Sequence, residues 1–262
     1  MRLEGRTALI TGGTQGVGAA IAIALAGAGA NLVLHGLRDD DEAQKTLETC
    51  IAKGVSVNLV TSDLMVNTDQ AVDRLAVSAL EFQPTIDLLV NNAGAYIDKP
   101  FLEMDYATFD RTMRLNVAAG YFLTQYFARR WIDQRTKGRV LFTGSINGLL
   151  SEPTHTAYDA SKAAVAGLVR SLCVTLAPHG IRVNAMAPGL VRTPLTNQVF
   201  DHNAAALEWM KLHTPNGLVP EPEVCGGAAV FLLSDLAEHI HGQTLYVDGG
   251  MSVWQQPDLP KT

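Results

Sequence analysis

Short apolar segments alternate with longer amphipathic ones along nearly the whole chain. The short segments are rich in branched apolar residues and predict strands at Thr7–Thr11, Leu32–His35, Val55–Val60, Ile86–Val90, Arg139–Thr143, Arg182–Ala187 and Thr244–Val247. The stretches between them have helical periodicity and predict helices at 17–28, 40–53, 68–82, about 105–135, 155–177 and 222–234.

This alternation is typical of a parallel sheet that helices cover on both faces. Right-handed crossovers then predict an α/β fold with one Rossmann-type, doubly wound, parallel seven-stranded sheet. Its first strands follow the order 3-2-1-4-5-6, and the last strand extends one edge. We find no linker or repeat and expect a single domain, 1–262. Ligands bind such sheets at the carboxyl ends of the strands, beside the switch between strands 1 and 4.

Composition narrows the classes of function. The net charge is −6 and no cluster of Lys and Arg occurs, so nucleic acid is not an expected partner. The cysteines, Cys50, Cys173 and Cys225, are scattered, so neither a disulfide framework nor a metal site is expected. The N-terminus lacks an apolar signal region, and glycines break the most apolar stretch, Ala19–Leu34. We therefore expect a cytoplasmic protein without a membrane span.

A glycine-rich turn follows the first predicted strand. It consists of Gly12, Gly13, Thr14, Gln15, Gly16, Val17 and Gly18, and small apolar residues follow it. Gly12 permits a tight turn, Gly16 lets the backbone approach a pyrophosphate, and Gly18 lets the helix pack closely on the strand. The N-terminus of that helix offers free N–H groups to an anion. The pattern predicts a dinucleotide-binding turn, although this spacing also occurs in ordinary glycine-rich turns.

An acid–base site could be formed by three side chains: Ser145, Tyr158 and Lys162. Tyr158 and Lys162 are four residues apart, which places them on one helix face with about 5–6 Å between Cβ atoms. A nearby cation lowers the pKa of a phenol, which is about 10 in water. Tyr158 would then exchange a proton with an alcohol or ketone while Ser145 bonds the reacting oxygen. Most pairs at this spacing are surface pairs, so this hypothesis depends on the rest of the chain.

With these residues in view, the chain resembles the classical short-chain dehydrogenases/reductases over essentially its whole length. The resemblance rests on the glycine turn, on Asn91-Asn92-Ala93-Gly94 after the fourth strand, on Asn116, on Ser145, Tyr158 and Lys162, and on the segment Pro188–Thr193. It implies an NAD(P)-dependent oxidoreductase that transfers a hydride between the nicotinamide and a secondary alcohol or ketone.

The resemblance also implies a role for each motif. Tyr158 is then the general acid or base, Lys162 lowers its pKa and binds the nicotinamide ribose, and Ser145 orients the substrate oxygen. Asn116 holds a water in a proton relay, or bridges backbone groups. Asp63 contacts the adenine, or only caps a helix. Cofactor contacts are implied for Gly12, Thr14, Gln15, Gly16, Val17, Gly18, Arg38, Asp63, Leu64, Asn91, Ala93, Gly94, Tyr158, Lys162, Pro188, Gly189, Val191 and Thr193.

The end of the second strand bears on the choice of cofactor. A carboxylate there binds the ribose of NAD, but the corresponding position is Gly36. Arg38 lies two residues further on and its guanidinium suits a 2′-phosphate. Alternatively, Arg38 pairs with the acidic run Asp39–Asp41 that follows it. We expect NADP(H) to be favoured over NAD(H).

Two loops are expected to bind a small-molecule substrate. The first contributes Asn147 and His155 beside Ser145 and Tyr158. The second, 194–220, is the most irregular part of the sequence and is expected to form a lid, with His213 as a possible substrate contact. Polar residues here favour a hydroxylated substrate such as a sugar or polyol. The alternatives are a 3-oxoacyl thioester on an acyl carrier protein, and a catalytically silent nucleotide-binding sensor.

The resemblance further implies a homotetramer. Helices 105–135 and 155–177 would pack between subunits, and the last strand would form another contact. The tail, 251–262, is either loose or covers a neighbouring subunit.

Overall fold

The computed structural model describes residues 1–66, 68–193, 196 and 204–254. Within these ranges one parallel sheet contains β1 (Thr7–Ile10), β2 (Asn31–Gly36), β3 (Val57–Thr61), β4 (Leu88–Asn91), β5 (Arg139–Thr143), β6 (Arg182–Pro188) and β7 (Thr244–Val247). The strand order is β3-β2-β1-β4-β5-β6-β7, and each neighbouring pair is parallel. The predicted doubly wound sheet is confirmed, and its switch point lies between β1 and β4.

Helices cover both faces of the sheet. They are α1 (Gly16–Gly27), α2 (Asp41–Ile51), α3 (Thr68–Phe82), α4 (Tyr106–Met113), α5 (Ala119–Gln134), α6 (Thr156–Leu176), α7 (Ala204–Leu212) and α8 (Val224–Leu233). The single helix predicted at about 105–135 is wrong in one respect, because a π-helical segment, Arg114–Ala118, separates α4 from α5. Segments of this kind are rare and are frequent at functional sites.

The predicted lid is only partly described. The hydrophobic pattern did not predict α7 in it, although the sequence of α7, AAALEWMKL, is composed of good helix formers. Residues 194, 195 and 197–203 of the lid lie outside the described residues, as do residues 255–262 of the tail.

Each face of the sheet has its own apolar core. Side chains of a strand alternate between faces, so Leu9 packs with α3, α5 and α6, whereas its neighbours Ala8 and Ile10 pack with α1 and α8. Helices α1 and α8 approach closely at Gly226, where a Cβ would lie 2.7 Å from the Cβ of Ala24. Because the central strands are buried on both sides, their sequences are largely apolar.

Buried arginines fasten α8 to the amino ends of β5 and β6. Arg182 donates to the carbonyl oxygens of Leu232 and Ser234, at 2.9 Å each. Arg139 donates to the carbonyl of Leu233 and pairs with Asp235. Cations are favoured at the C-terminus of a helix. Burial lowers the pKa of Arg182 to about 10, so it stays charged at neutral pH.

One helical stretch, Thr156–His179, is long and apolar enough to cross a membrane by length and composition alone. A core helix of a water-soluble protein passes the same test, and α6, which lies within this stretch, packs on β6. The stretch is therefore weak evidence for a span, and the expectation of none stays a prediction.

Candidate active site

Ser145, Tyr158 and Lys162 meet at the carboxyl end of β5. Ser145 follows this strand and begins a short turn, whereas Tyr158 and Lys162 lie in the first turns of α6. The Ser145 hydroxyl is close enough to the Tyr158 phenol to lower its pKa through hydrogen bonding. The Nζ atom of Lys162 lies 5.6 Å from the centre of the Tyr158 ring and donates to the carbonyl of Thr143 at 3.0 Å. The structure thus brings the residues predicted from spacing into one site.

Burial has the largest effect on the pKa values of Tyr158 and Lys162. It raises the pKa of Tyr158; the hydrogen bond from Ser145 lowers it, and the charges of Asp159 and Glu152 raise it. Burial lowers the pKa of Lys162 to about 8. The expected lowering of the phenol pKa by Lys162 is not among these influences. The surrounding protein therefore favours the neutral phenol, the form that can donate a proton to a ketone.

Asn116 lies in the π-helical segment and bridges two elements. Its Nδ2 atom donates to the carbonyl of Ala95 and to Ser161 Oγ, at 2.9 Å each. Its Oδ1 atom accepts from the backbone N–H of Ala95 at 2.8 Å. Ser161 in turn donates to the carbonyl of Tyr158 at 2.6 Å. Asn116 therefore ties the loop after β4 to α6, which agrees with the bridging alternative. The relay role stays a prediction.

Asn92 has a structural role that sequence reasoning did not assign. Its Nδ2 atom donates to the carbonyls of Thr11 and Gly12, at 3.1 and 2.9 Å. Its Oδ1 atom accepts from Thr143 Oγ1 at 3.1 Å. The carbonyl of Thr143 binds Lys162, so one asparagine connects the glycine turn to the segment that holds this lysine. Its place in the Asn-Asn-Ala-Gly motif was the available signal.

The glycine turn has the shape that a dinucleotide requires. Gly12 and Gly16 have left-handed φ angles of 60° and 54°, which glycine adopts without strain. A Cβ on Gly18 would overlap the carbonyl oxygen of Gly12 and lie 2.5 Å from Asn92 Nδ2. Helix α1 begins at Gly16, so its free N–H groups face the turn. The backbone is thus open to a pyrophosphate, and these residues fit the predicted cofactor.

A buried histidine supports the turn from β2. His35 accepts from the N–H of Gly12 at Nδ1, over 3.4 Å, and its carbonyl accepts from the N–H of Gly13 at 2.8 Å. Burial lowers the pKa of His35 to about 4, so the ring is neutral and Nδ1 can accept. Nε2 then donates to Ser62 at 3.1 Å. This histidine orders the turn without carrying charge.

Arg38 is exposed beyond β2, and its position agrees with the phosphate-binding hypothesis. Asp39 accepts from Gln44, and Asp40 caps α2 by accepting from the N–H of Ala43 at 3.1 Å. In the part of the chain that the structure describes, Arg38 forms no ion pair with these carboxylates. Gly36 is required by packing as well, since a Cβ there would lie 2.7 Å from Thr14 Cγ2.

The remaining predicted cofactor residues differ in their surroundings. Asp63 is exposed and accepts from the N–H of Met65 at 2.8 Å. Leu64 and Val191 are buried. The Asn91 side chain donates to Thr124 Oγ1 at 2.9 Å, on the side of α5. The others lie in the turn or along the strand ends: Val17, Gln15, Ala93, Gly94, Pro188, Gly189 and Thr193.

Polar and aromatic side chains also lie beside Tyr158. His155 Nε2 and Tyr96 Oη are joined by a hydrogen bond. The Tyr96 ring lies edge-on to His155 and to Tyr158, with ring centres 4.7 and 5.3 Å apart. Tyr96 was missed in the sequence. In contrast, His213 stacks on Trp209 and bonds its carbonyl at 2.7 Å, so its ring is engaged within its own segment.

Comparison with known proteins decides the family. A family model described as enoyl-(acyl carrier protein) reductase matches residues 12–252. The chain belongs to the short-chain dehydrogenase/reductase family. It is an NAD(P)-dependent oxidoreductase that acts on CH–OH groups, which confirms the predicted family and enzyme class.

Relatives of this dehydrogenase align over nearly its whole length. An L-rhamnose 1-dehydrogenase (NADP(+)) of Thermoplasma acidophilum is 33% identical and covers 95% of this chain and 97% of the relative. A glucose 1-dehydrogenase of Gluconobacter oxydans is 31% identical and covers 97% and 94%. A crystal structure of a 3-oxoacyl (acyl-carrier-protein) reductase of Agrobacterium tumefaciens with NADP bound has a TM-score of 0.86 at 30% identity and covers 95% of both chains.

Proposed function

We propose that this enzyme interconverts a secondary alcohol and a ketone on a small polyhydroxylated substrate such as a sugar or polyol. The main support is a pair of hydrogen-bonding side chains, His155 and Tyr96, which lie beside Tyr158. Sites that hydrogen-bond a substrate hydroxyl discriminate strongly against analogues that lack it. The relatives named for L-rhamnose and glucose support a sugar as the substrate class.

The proton chemistry follows from the trio at the end of β5. In ketone reduction, Tyr158 Oη gives its proton to the carbonyl oxygen while the hydroxyl of Ser145 bonds that oxygen. The carbonyl of Thr143 fixes Lys162 Nζ at 5.6 Å from the centre of the Tyr158 ring, where a positive charge would act on the phenolate once it forms. When bound, the nicotinamide supplies or accepts the hydride. In alcohol oxidation the same groups act in reverse, with Tyr158 as the base.

Assays of purified enzyme test the substrate class. With NADP⁺ or NAD⁺, we expect the nicotinamide absorbance to rise on addition of aldoses or polyols. With NADPH, we expect no comparable fall on addition of an acetoacetyl thioester. We chose this thioester as the competing substrate because a 3-oxoacyl (acyl-carrier-protein) reductase has a similar structure. Faster turnover of the thioester than of each hydroxylated compound would overturn the proposed substrate class.

The preference for NADP(H) depends on Arg38. We expect Arg38→Ala to weaken NADPH binding by about 10–100-fold, because it removes a charge-assisted hydrogen bond to the 2′-phosphate. NADH binding should change by less than about twofold. Fluorescence titration of both cofactors measures this, and Lys53→Ala is a matched control that removes an exposed cation after α2. Equal losses for NADPH and NADH would refute the role of Arg38.

We further propose a cytoplasmic homotetramer. Large apolar side chains are exposed on and beside the α4–α6 surface, among them Phe101, Leu102, Tyr106, Phe122 and Val174. Exposed apolar patches of this kind mark protein–protein interfaces. Light scattering of the purified enzyme tests the assembly, and a monomer at micromolar concentration would contradict it.

A further inference from the structure

A buried carboxylate follows the catalytic tyrosine. Asp159 is 8% exposed and uses both oxygens to hold the loop that precedes α6. Its Oδ1 atom accepts from Asn147 Nδ2 at 2.8 Å, and its Oδ2 atom accepts from the N–H of Glu152 at 3.0 Å. Burial of an ionised carboxylate is costly unless such donors compensate it. The reaction proposed above does not use this group directly.

The contacts of Asp159 fix the orientation of the Asn147 amide. Asn147 Nδ2 donates to Asp159 and, at 3.3 Å, to Glu152 Oε1. Carboxylates only accept, so the nitrogen must face them and Oδ1 must face the other way. That oxygen lies 3.3 Å from Ser145 Oγ, and the backbone N–H of Asn147 donates to the same Oγ at 3.1 Å. Asn147 therefore contacts the Ser145 hydroxyl through both its side chain and its backbone.

We propose that Asp159 is a positioning residue for Ser145 and acts through the side chain of Asn147. The inference rests on the proposed function, in which the Ser145 hydroxyl bonds the reacting oxygen. The same hydroxyl neighbours the Tyr158 phenol, so its orientation decides whether proton donor and substrate oxygen align. The Asn147 amide nitrogen is already engaged by two carboxylates, so its contribution to the site is made through Ser145.

Asp159→Asn tests the proposal because it keeps the shape and removes one acceptor. An asparagine places an NH2 group where one carboxylate oxygen stood, so a donor then faces either Asn147 Nδ2 or the N–H of Glu152. We expect kcat to fall by about 10–100-fold, as small misplacements of catalytic groups do. NADPH binding should stay within about twofold, because the glycine turn is not touched. Asp73→Asn, which removes an exposed carboxylate of α3, is the matched control.

A double-mutant cycle with Ser145→Ala separates positioning from a general structural effect. If Asp159 acts through Ser145, Asp159→Asn should cost less than about threefold in kcat once the hydroxyl is absent. Asn147→Ala should show the same loss and the same non-additivity without removing a charge. It also answers the question if Asp159→Asn does not fold.

Some results of this double-mutant cycle would contradict the positioning role of Asp159. An unchanged kcat in Asp159→Asn, or losses that multiply in full with Ser145→Ala, would overturn the positioning role. If the cycle is tested through Asn147→Ala alone, fully multiplying losses would overturn it equally. Turnover that survives in Tyr158→Phe would instead refute the proposed function itself, so the two failures are distinguishable.

Discussion

Replacement of Tyr158 by phenylalanine is expected to lower kcat by about 10³-fold or more and to leave NADPH affinity within about twofold. The variant loses the only atom that exchanges a proton with the substrate in the proposed reaction, and general acid–base groups contribute about 10²–10⁴-fold. Phenylalanine keeps the ring that packs edge-on to Tyr96, so the fold of the site is preserved. Steady-state kinetics and fluorescence titration of NADPH measure the two quantities.

The control for this variant is Tyr126→Phe, which removes a phenol from α5 and should keep full turnover. A Tyr158→Phe enzyme with near-normal kcat would show that another group moves the proton. Absence of turnover in the wild type, with NADPH bound and every substrate class tested, would instead favour the nucleotide-sensor alternative.

The fold was predictable because the central strands are buried on both faces. Leu9 and Ile10 face opposite cores, so the sequence shows a continuous apolar run that ends where the strand ends. The π-helical segment was not predictable from local propensity. Asn116 lies in this segment and bonds Ala95 and Ser161, which are distant in sequence and close only in the folded chain.

In the site, too, spacing along the sequence was informative, whereas contacts between distant residues were not predictable. The spacing of Tyr158 and Lys162 shows that they share a helix face, but not that burial controls the pKa of each. Tyr96 and His155 are 59 positions apart, and their contact depends on the loops after β4 and β5 being neighbours. Asp159 adjoins the catalytic tyrosine in sequence, yet its partners Asn147 and Glu152 are identified only by distances.

Gly18→Ala is expected to weaken NADPH binding by at least about 100-fold. The new Cβ would overlap the carbonyl oxygen of Gly12 and lie 2.5 Å from Asn92 Nδ2, inside van der Waals contact with both. The overlapping atom is backbone, so relief requires the turn to move away from α1. That movement displaces the N–H groups offered to the pyrophosphate and breaks the bond from Asn92 to Gly12. Because Asn92 also bonds Thr143, the distortion should lower kcat as well.

Gly27→Ala supplies the matched control within α1. A Cβ at this position meets no heavy atom within 4 Å, and alanine favours the helix over glycine by up to about 1 kcal/mol. We therefore expect Gly27→Ala to raise the unfolding temperature slightly and to leave NADPH binding unchanged. Thermal unfolding by circular dichroism and cofactor titration compare the two variants. If Gly18→Ala is folded and binds NADPH as tightly as Gly27→Ala does, the close approach at Gly18 does not shape the cofactor site.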